Sequence, residues 1–147
     1  MSDLIFPSFK YKSKKIDGKV AIFDIIRKKY IILTPEEWVR QHLVHFLINQ
    51  MKYPKSLISV EDGMKVNKMA KRSDVVIFNR SGKIFLVVEC KSAKVKITQK
   101  NMDQLSAYNQ NYKADYLALT NGLEVIVCKM DYQNKRATFI HGFPEFT

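Results

Sequence analysis

Glycine is scarce, 5 in 147 residues. No Gly-rich phosphate loop of the Walker type is present, which excludes a nucleotide-driven motor core. Cysteine is scarcer still. The two, Cys90 and Cys128, each lie within an apolar run, as buried thiols of a reducing compartment do, so a disulfide scaffold is excluded. No apolar run is long enough to span a bilayer, and the amino terminus lacks the charged, apolar, small-residue order of a signal peptide. A cytoplasmic protein without a membrane partner is therefore expected. Acidic residues are outnumbered: 14 Asp and Glu face 25 Lys and Arg, a formal charge of +11. Such an excess favours a polyanionic partner, most often nucleic acid. A 46% hydrophobic share is enough to build one ordinary core at this length.

Residues 1–19 are Lys-rich and weakly patterned, a basic lead-in to a domain spanning 20–147. Val20–Ile26 and Tyr30–Leu33 are β-branched and aromatic on either side of Arg27-Lys28-Lys29, which reads as a hairpin with a basic turn. Thr34-Pro35-Glu36-Glu37 starts a helix: Thr at the cap, Pro at the first position and Glu at the third. That helix should end near Met51–Tyr53, before Pro54. Strands are expected at Leu57–Val66, Asp74–Phe78 and Ile84–Lys91, the last two joined as a hairpin by Asn79-Arg80-Ser81-Gly82. A second helix should cover 98–112. Tyr116–Thr120 and Leu123–Met130 should be strands about Asn121-Gly122. The order of elements implies an α/β sandwich around a mixed sheet.

Two buried-looking strands each carry ionisable residues at one end. Their hairpin sets Asp74 roughly opposite Glu89, and Glu89 and Lys91, two apart, share a face. Two carboxylates and an ammonium so placed suit a hard divalent cation and a polarised water, the parts that phosphodiester hydrolysis needs. An acid two residues before a lysine arises by chance at roughly one position in a hundred. Asp17-Gly18-Lys19, in a basic loop, is the decoy; Glu89-Cys90-Lys91 ends a hydrophobic strand.

Asp74 followed by Glu89-Cys90-Lys91 resembles the metal-site signature of the PD-(D/E)xK nuclease superfamily. Leu33-Thr34-Pro35-Glu36-Glu37-Trp38-Val39-Arg40-Gln41, Gln104-Leu105-Ser106-Ala107-Tyr108 and Thr120-Asn121-Gly122 are similar to the amino-terminal nuclease-like domain of type I restriction enzyme R subunits. The likeness runs over roughly residues 20–140. It implies a restriction-endonuclease-like α/β/α sandwich with an amino-terminal β-hairpin, acting as a Mg²⁺-dependent endonuclease on DNA, with Mn²⁺ as a substitute. By resemblance, Asp74 and Glu89 ligate the metal with the Cys90 carbonyl, and Lys91 orients the attacking water. Gln104 and Tyr108, one helical turn apart, match the accompanying Gln-x-x-x-Tyr element, and Glu37 or Glu36 completes the site. Ser73 stands where a proline commonly precedes the acid. The implied partners are DNA and other restriction–modification subunits.

Lys94, Lys96 and Lys100 follow closely and would track a phosphate backbone. His42 and His45 lie three apart on a helix without a third ligand of fitting spacing, so a solvated or packed pair is favoured over zinc. The alternative to the nuclease is a catalytically silent nucleic-acid-binding or assembly module on the same fold. A homodimer through the Asn121-Gly122 hairpin or the amino-terminal strands is a third, weaker reading.

Overall fold

The computed structural model describes residues 3–62 and 73–147, with the backbone only at 61, 62, 73 and 74. Strands β1 (Ser13–Ile16), β2 (Lys19–Asp24) and β3 (Lys29–Ile32) form an antiparallel sheet in that order. The expected hairpin is therefore β2–β3, and the basic lead-in supplies a further strand. Asp17 and Gly18 both adopt positive φ, 50° and 78°, as the two central residues of a tight hairpin turn do. Strand β1 gave no sequence signal, because Ser-Lys-Lys-Ile lies almost wholly exposed and needs no apolar alternation. Ile5 and Phe6 of the lead-in are also tied down. Phe6 is buried with its ring 5.3 Å from that of Phe46, and the Ile5 N–H donates to the Gly122 carbonyl at 2.8 Å.

Helix α1 (Pro35–Asn49) begins as expected, with Thr34 Oγ1 accepting from the Glu37 N–H at 3.1 Å. Then follow a 3₁₀ turn (Lys55–Leu57), β4 (Ile58–Asp62), β5 (Ser73–Phe78), β6 (Ile84–Cys90), α2 (Gln99–Tyr108), β7 (Tyr116–Thr120), β8 (Val125–Asp131) and β9 (Arg136–Ile140). Positions 63–66 of the expected strand Leu57–Val66 lie outside the described residues. The six strands β4 to β9 pair in sequence order, antiparallel throughout except for β6 with β7. The parallel pair is where α2 crosses over, as a parallel connection requires.

Alternation along the strands divides the core in two. Val75, Ile77, Leu86, Val88 and Cys90 pack with Val39, Leu43 and Leu47 of α1. Val76, Val87, Leu117, Leu119 and Cys128 pack with Met102 and Leu105 of α2. One helix thus covers each face of the mixed sheet, and both cysteines are buried free thiols.

Helix α2 stops at Tyr108 rather than 112. Asn109 folds the chain away, its Oδ1 accepting from the Ala114 N–H at 2.9 Å. Strand β9 is absent from the expected elements because it is an edge strand with four of its five residues exposed, including Phe139 at 67%. Among the described residues no helix is long and apolar enough to cross a membrane.

Candidate active site

Glu89 occupies the penultimate position of β6, between Val88 and Cys90. Those neighbours face α1, so Glu89 turns to the α2 side with Val87. It is 1% exposed. A carboxylate at that depth needs a counter-charge, and Lys91 supplies one, its Nζ 3.0 Å from Glu89 Oε2. The Lys91 side chain is a quarter exposed, so the pair joins a buried acid to a partly solvated cation. The Lys91 backbone N–H donates to the Thr120 carbonyl at 2.8 Å, which fixes where the strand end meets β7.

The β5–β6 register pairs Val75 with Val88, and one further step along the two strands sets the Asp74 backbone opposite Glu89. On its other side Asp74 pairs with Glu61 of β4. Three acidic positions from three strands therefore share one cross-strand row. The side chains of Asp74 and Glu61 lie outside the described residues. Among the described residues no three His, Cys, Asp or Glu side chains converge on a point. Glu61 was missed from sequence because its register depends on how β4 returns to β5, which strand patterning does not fix.

The structure brings Glu89 and Lys91 together, and Cys90 lies beside them on the opposite face. Gln104 and Tyr108 ride on α2, on the Glu89 side of the sheet, the former exposed and the latter buried. Lys94, Lys96 and Lys100 are exposed on the segment from β6 into α2.

Glu37 lies in a buried polar network on the α1 side of the sheet. Its Oε1 accepts from Arg40 Nη1 at 2.6 Å, and its Oε2 from Arg27 Nη2 at 2.5 Å and Gln41 Nε2 at 3.0 Å. Arg27 Nε also donates to Asp24 Oδ2 at 2.6 Å, and Gln41 Nε2 reaches the same oxygen at 3.1 Å. Glu36, more exposed, pairs with Arg40 Nη2 at 2.8 Å. Burial pushes the Asp24 carboxyl up, but the hydrogen bonds and charge of Arg27 and the Ile26 N–H outweigh it and hold the group below its ordinary value. The network ties the β2–β3 turn to α1. Asp24, Arg27 and Gln41 carried no sequence signal, because their convergence is a tertiary contact between a turn and a helix.

His42 and His45 belong to an aromatic cluster. The Phe9 ring stacks on His45 at 4.1 Å and meets His42 edge-on at 4.7 Å, while His42 Nδ1 lies 2.8 Å from the Trp38 carbonyl. Burial pushes both imidazoles below their usual value. A base whose folded pKa is lowered binds protons first in the unfolded chain. This contribution is thus complete above the unfolded pKa of about 6.5 and is lost as pH falls through it. The urea midpoint is expected to fall between about pH 7.5 and pH 5.5, and His45→Asn to shrink that fall. Equal midpoints for wild type at both values would contradict it.

Comparison with known proteins places residues 35–144 within the family model described as Type I restriction enzyme R protein N terminus (HSDR_N). No curated protein and no solved structure matches the chain significantly. The matched span runs from the first residue of α1 to beyond β9, so it takes in both helices, the whole mixed sheet and the Glu89–Lys91 strand end, and the chain belongs to the family of type I restriction enzyme R protein N-terminal regions.

Proposed function

We propose that this protein is a Mg²⁺-dependent endonuclease of restriction-endonuclease-like fold that hydrolyses DNA phosphodiester bonds. The observation that carries it is a carboxylate, Glu89, buried at the end of a central strand with the ammonium of a partly exposed lysine 3.0 Å away. Burying such a carboxylate is costly and is weak evidence for a role in stability alone, which favours a functional reading of the strand end. The family supplies the restriction–modification context.

The donor set fits a hard cation, since Glu89 offers carboxylate oxygens and Cys90 a backbone carbonyl at the same strand end, with Asp74 in the neighbouring register position. When bound there, Mg²⁺ would polarise the phosphoryl oxygen and lower the pKa of a water. Lys91 orients that water and offsets charge developing on the phosphate. Gln104 and Tyr108 approach from α2. Lys94, Lys96 and Lys100 bind the backbone, and the other subunits of a restriction system would select the sequence.

Cutting of plasmid DNA by the wild-type protein in Mg²⁺ or Mn²⁺, and its arrest by chelator, tests the assignment. In parallel, Mn²⁺ titrated by calorimetry is expected to bind wild type and not Glu89→Ala. Wild type that takes up no Mn²⁺ while still binding DNA would overturn the nuclease and leave a catalytically silent binding module.

A further inference from the structure

The turn at Thr120-Asn121-Gly122 and the lysines after β6 form one assembly. Asn121 is 4% exposed. Its Oδ1 accepts from the Leu123 and Glu124 N–H groups at 2.9 and 3.0 Å, which closes the turn from β7 to β8. Its Nδ2 reaches across and donates to the Val95 carbonyl at 2.8 Å. Thr120 Oγ1 donates to the Glu124 carbonyl at 2.8 Å and accepts from the Gly122 N–H at 3.0 Å. Because the Lys91 N–H also donates to the Thr120 carbonyl, the segment after β6 is fastened to this turn twice, at residues 91 and 95.

The second fastening sits between two exposed lysines, Lys94 and Lys96. No acidic residue falls between 90 and 102, a stretch that holds Lys91, Lys94, Lys96 and Lys100. Exposed apolar side chains flank the fastening, Val95 at 40% and Leu123 at 49%. A flexible lysine loop would have to be ordered on binding, at an entropic cost for each long side chain and each backbone residue fixed. A buried amide that holds the backbone beforehand removes part of that cost.

We infer that Asn121 is a positioning residue that holds the segment after β6 as a preformed arm for a nucleic-acid backbone, with Lys94 and Lys96 on phosphates and Val95 and Leu123 against the sugars between them. Charge selects the occupant, since a run of cations without an acid, on a chain of formal charge +11, complements a polyanion. The inference rests on the nucleic-acid-binding half of the proposed function and not on hydrolysis.

Asn121→Asp isolates the contact. It keeps the Oδ1 acceptor that closes the turn and removes the donor to Val95. Binding of a labelled DNA duplex is followed by anisotropy in EDTA across a range of salt. Lys94→Ala/Lys96→Ala is expected to reduce the slope of log affinity against log salt by about 2. Asn121→Asp should weaken binding about tenfold in the wild-type background and less than about twofold in the Lys94→Ala/Lys96→Ala one. An Asn121→Asp effect of equal size in both backgrounds would overturn the inference, because a merely structural role, or a direct effect of the new charge, does not depend on the lysines. Should Asn121→Asp fail to fold, the lysine pair alone decides: an unchanged salt slope refutes the arm. The two failures separate cleanly. DNA bound in this lysine-dependent way but never cut in Mg²⁺ sinks the nuclease and leaves the arm. DNA that is cut with Lys94 and Lys96 dispensable does the reverse.

Discussion

Glu89→Gln is expected to lose Mg²⁺-dependent DNA cleavage by about a thousandfold or more while melting no lower than wild type. The two halves of this outcome share one cause. Glu89 is 1% exposed, and a carboxylate at that depth carries a desolvation cost that its pairing with Lys91 must meet. Glutamine has the same shape without the charge and relieves that cost. It also removes the anionic oxygen that a divalent cation requires. A residue retained for packing would behave in the opposite sense, losing stability and leaving whatever activity exists untouched. Lys91→Ala should abolish cutting too, but with some loss of stability, because it strands the buried carboxylate that glutamine neutralises. Cleavage assays paired with thermal melts of both variants check this. Glu89→Gln that cuts at the wild-type rate would end the assignment of the strand end as an active site.

Arg40→Ala is expected to cost about 3–5 kcal/mol of folding stability, a drop in melting temperature of about 10 °C or more for a chain of this length. Arg40 is 3% exposed and donates to both Glu36 and Glu37. Burial works against its charge, yet Cys90, Glu37 and Glu36 beside it more than compensate and raise its pKa. Removing it leaves the Glu37 carboxylate, also buried, with fewer donors than its charge requires, and opens a cavity between α1 and the sheet. Arg40→Lys should fall between, since an ammonium keeps the charge but cannot fork between two carboxylates. Circular-dichroism melts measure all three proteins. An Arg40→Ala midpoint within about 2 °C of wild type would show the network to be energetically idle. Glu37, whose two oxygens already receive Arg27, Arg40 and Gln41, acts in this network as a joint between the small sheet and α1.

The sequence by itself determined most of the elements and the two residues that meet at the strand end. Both follow from local rules. Thr34 and Pro35 set the start of α1, Asn79–Gly82 and Asn121-Gly122 set their turns, and the apolar run of β6 ending in Glu89-Cys90-Lys91 required two ionisable groups to emerge side by side. Edge strands escaped it. Strands β1 and β9 are largely exposed, and without a buried face their residues carry no alternation to read. The short end of α2 escaped as well, because Asn109 stops the helix through a side-chain bond to the Ala114 N–H that apolar spacing does not record. Only the tertiary structure decided which distant groups meet: Asp24 and Arg27 with Glu37, Glu61 in the row of Asp74, and Asn121 with Val95. Each of those contacts joins elements whose relative placement depends on sheet order and helix docking. That placement is settled by burying both faces of one sheet at once, which no short stretch of chain can specify.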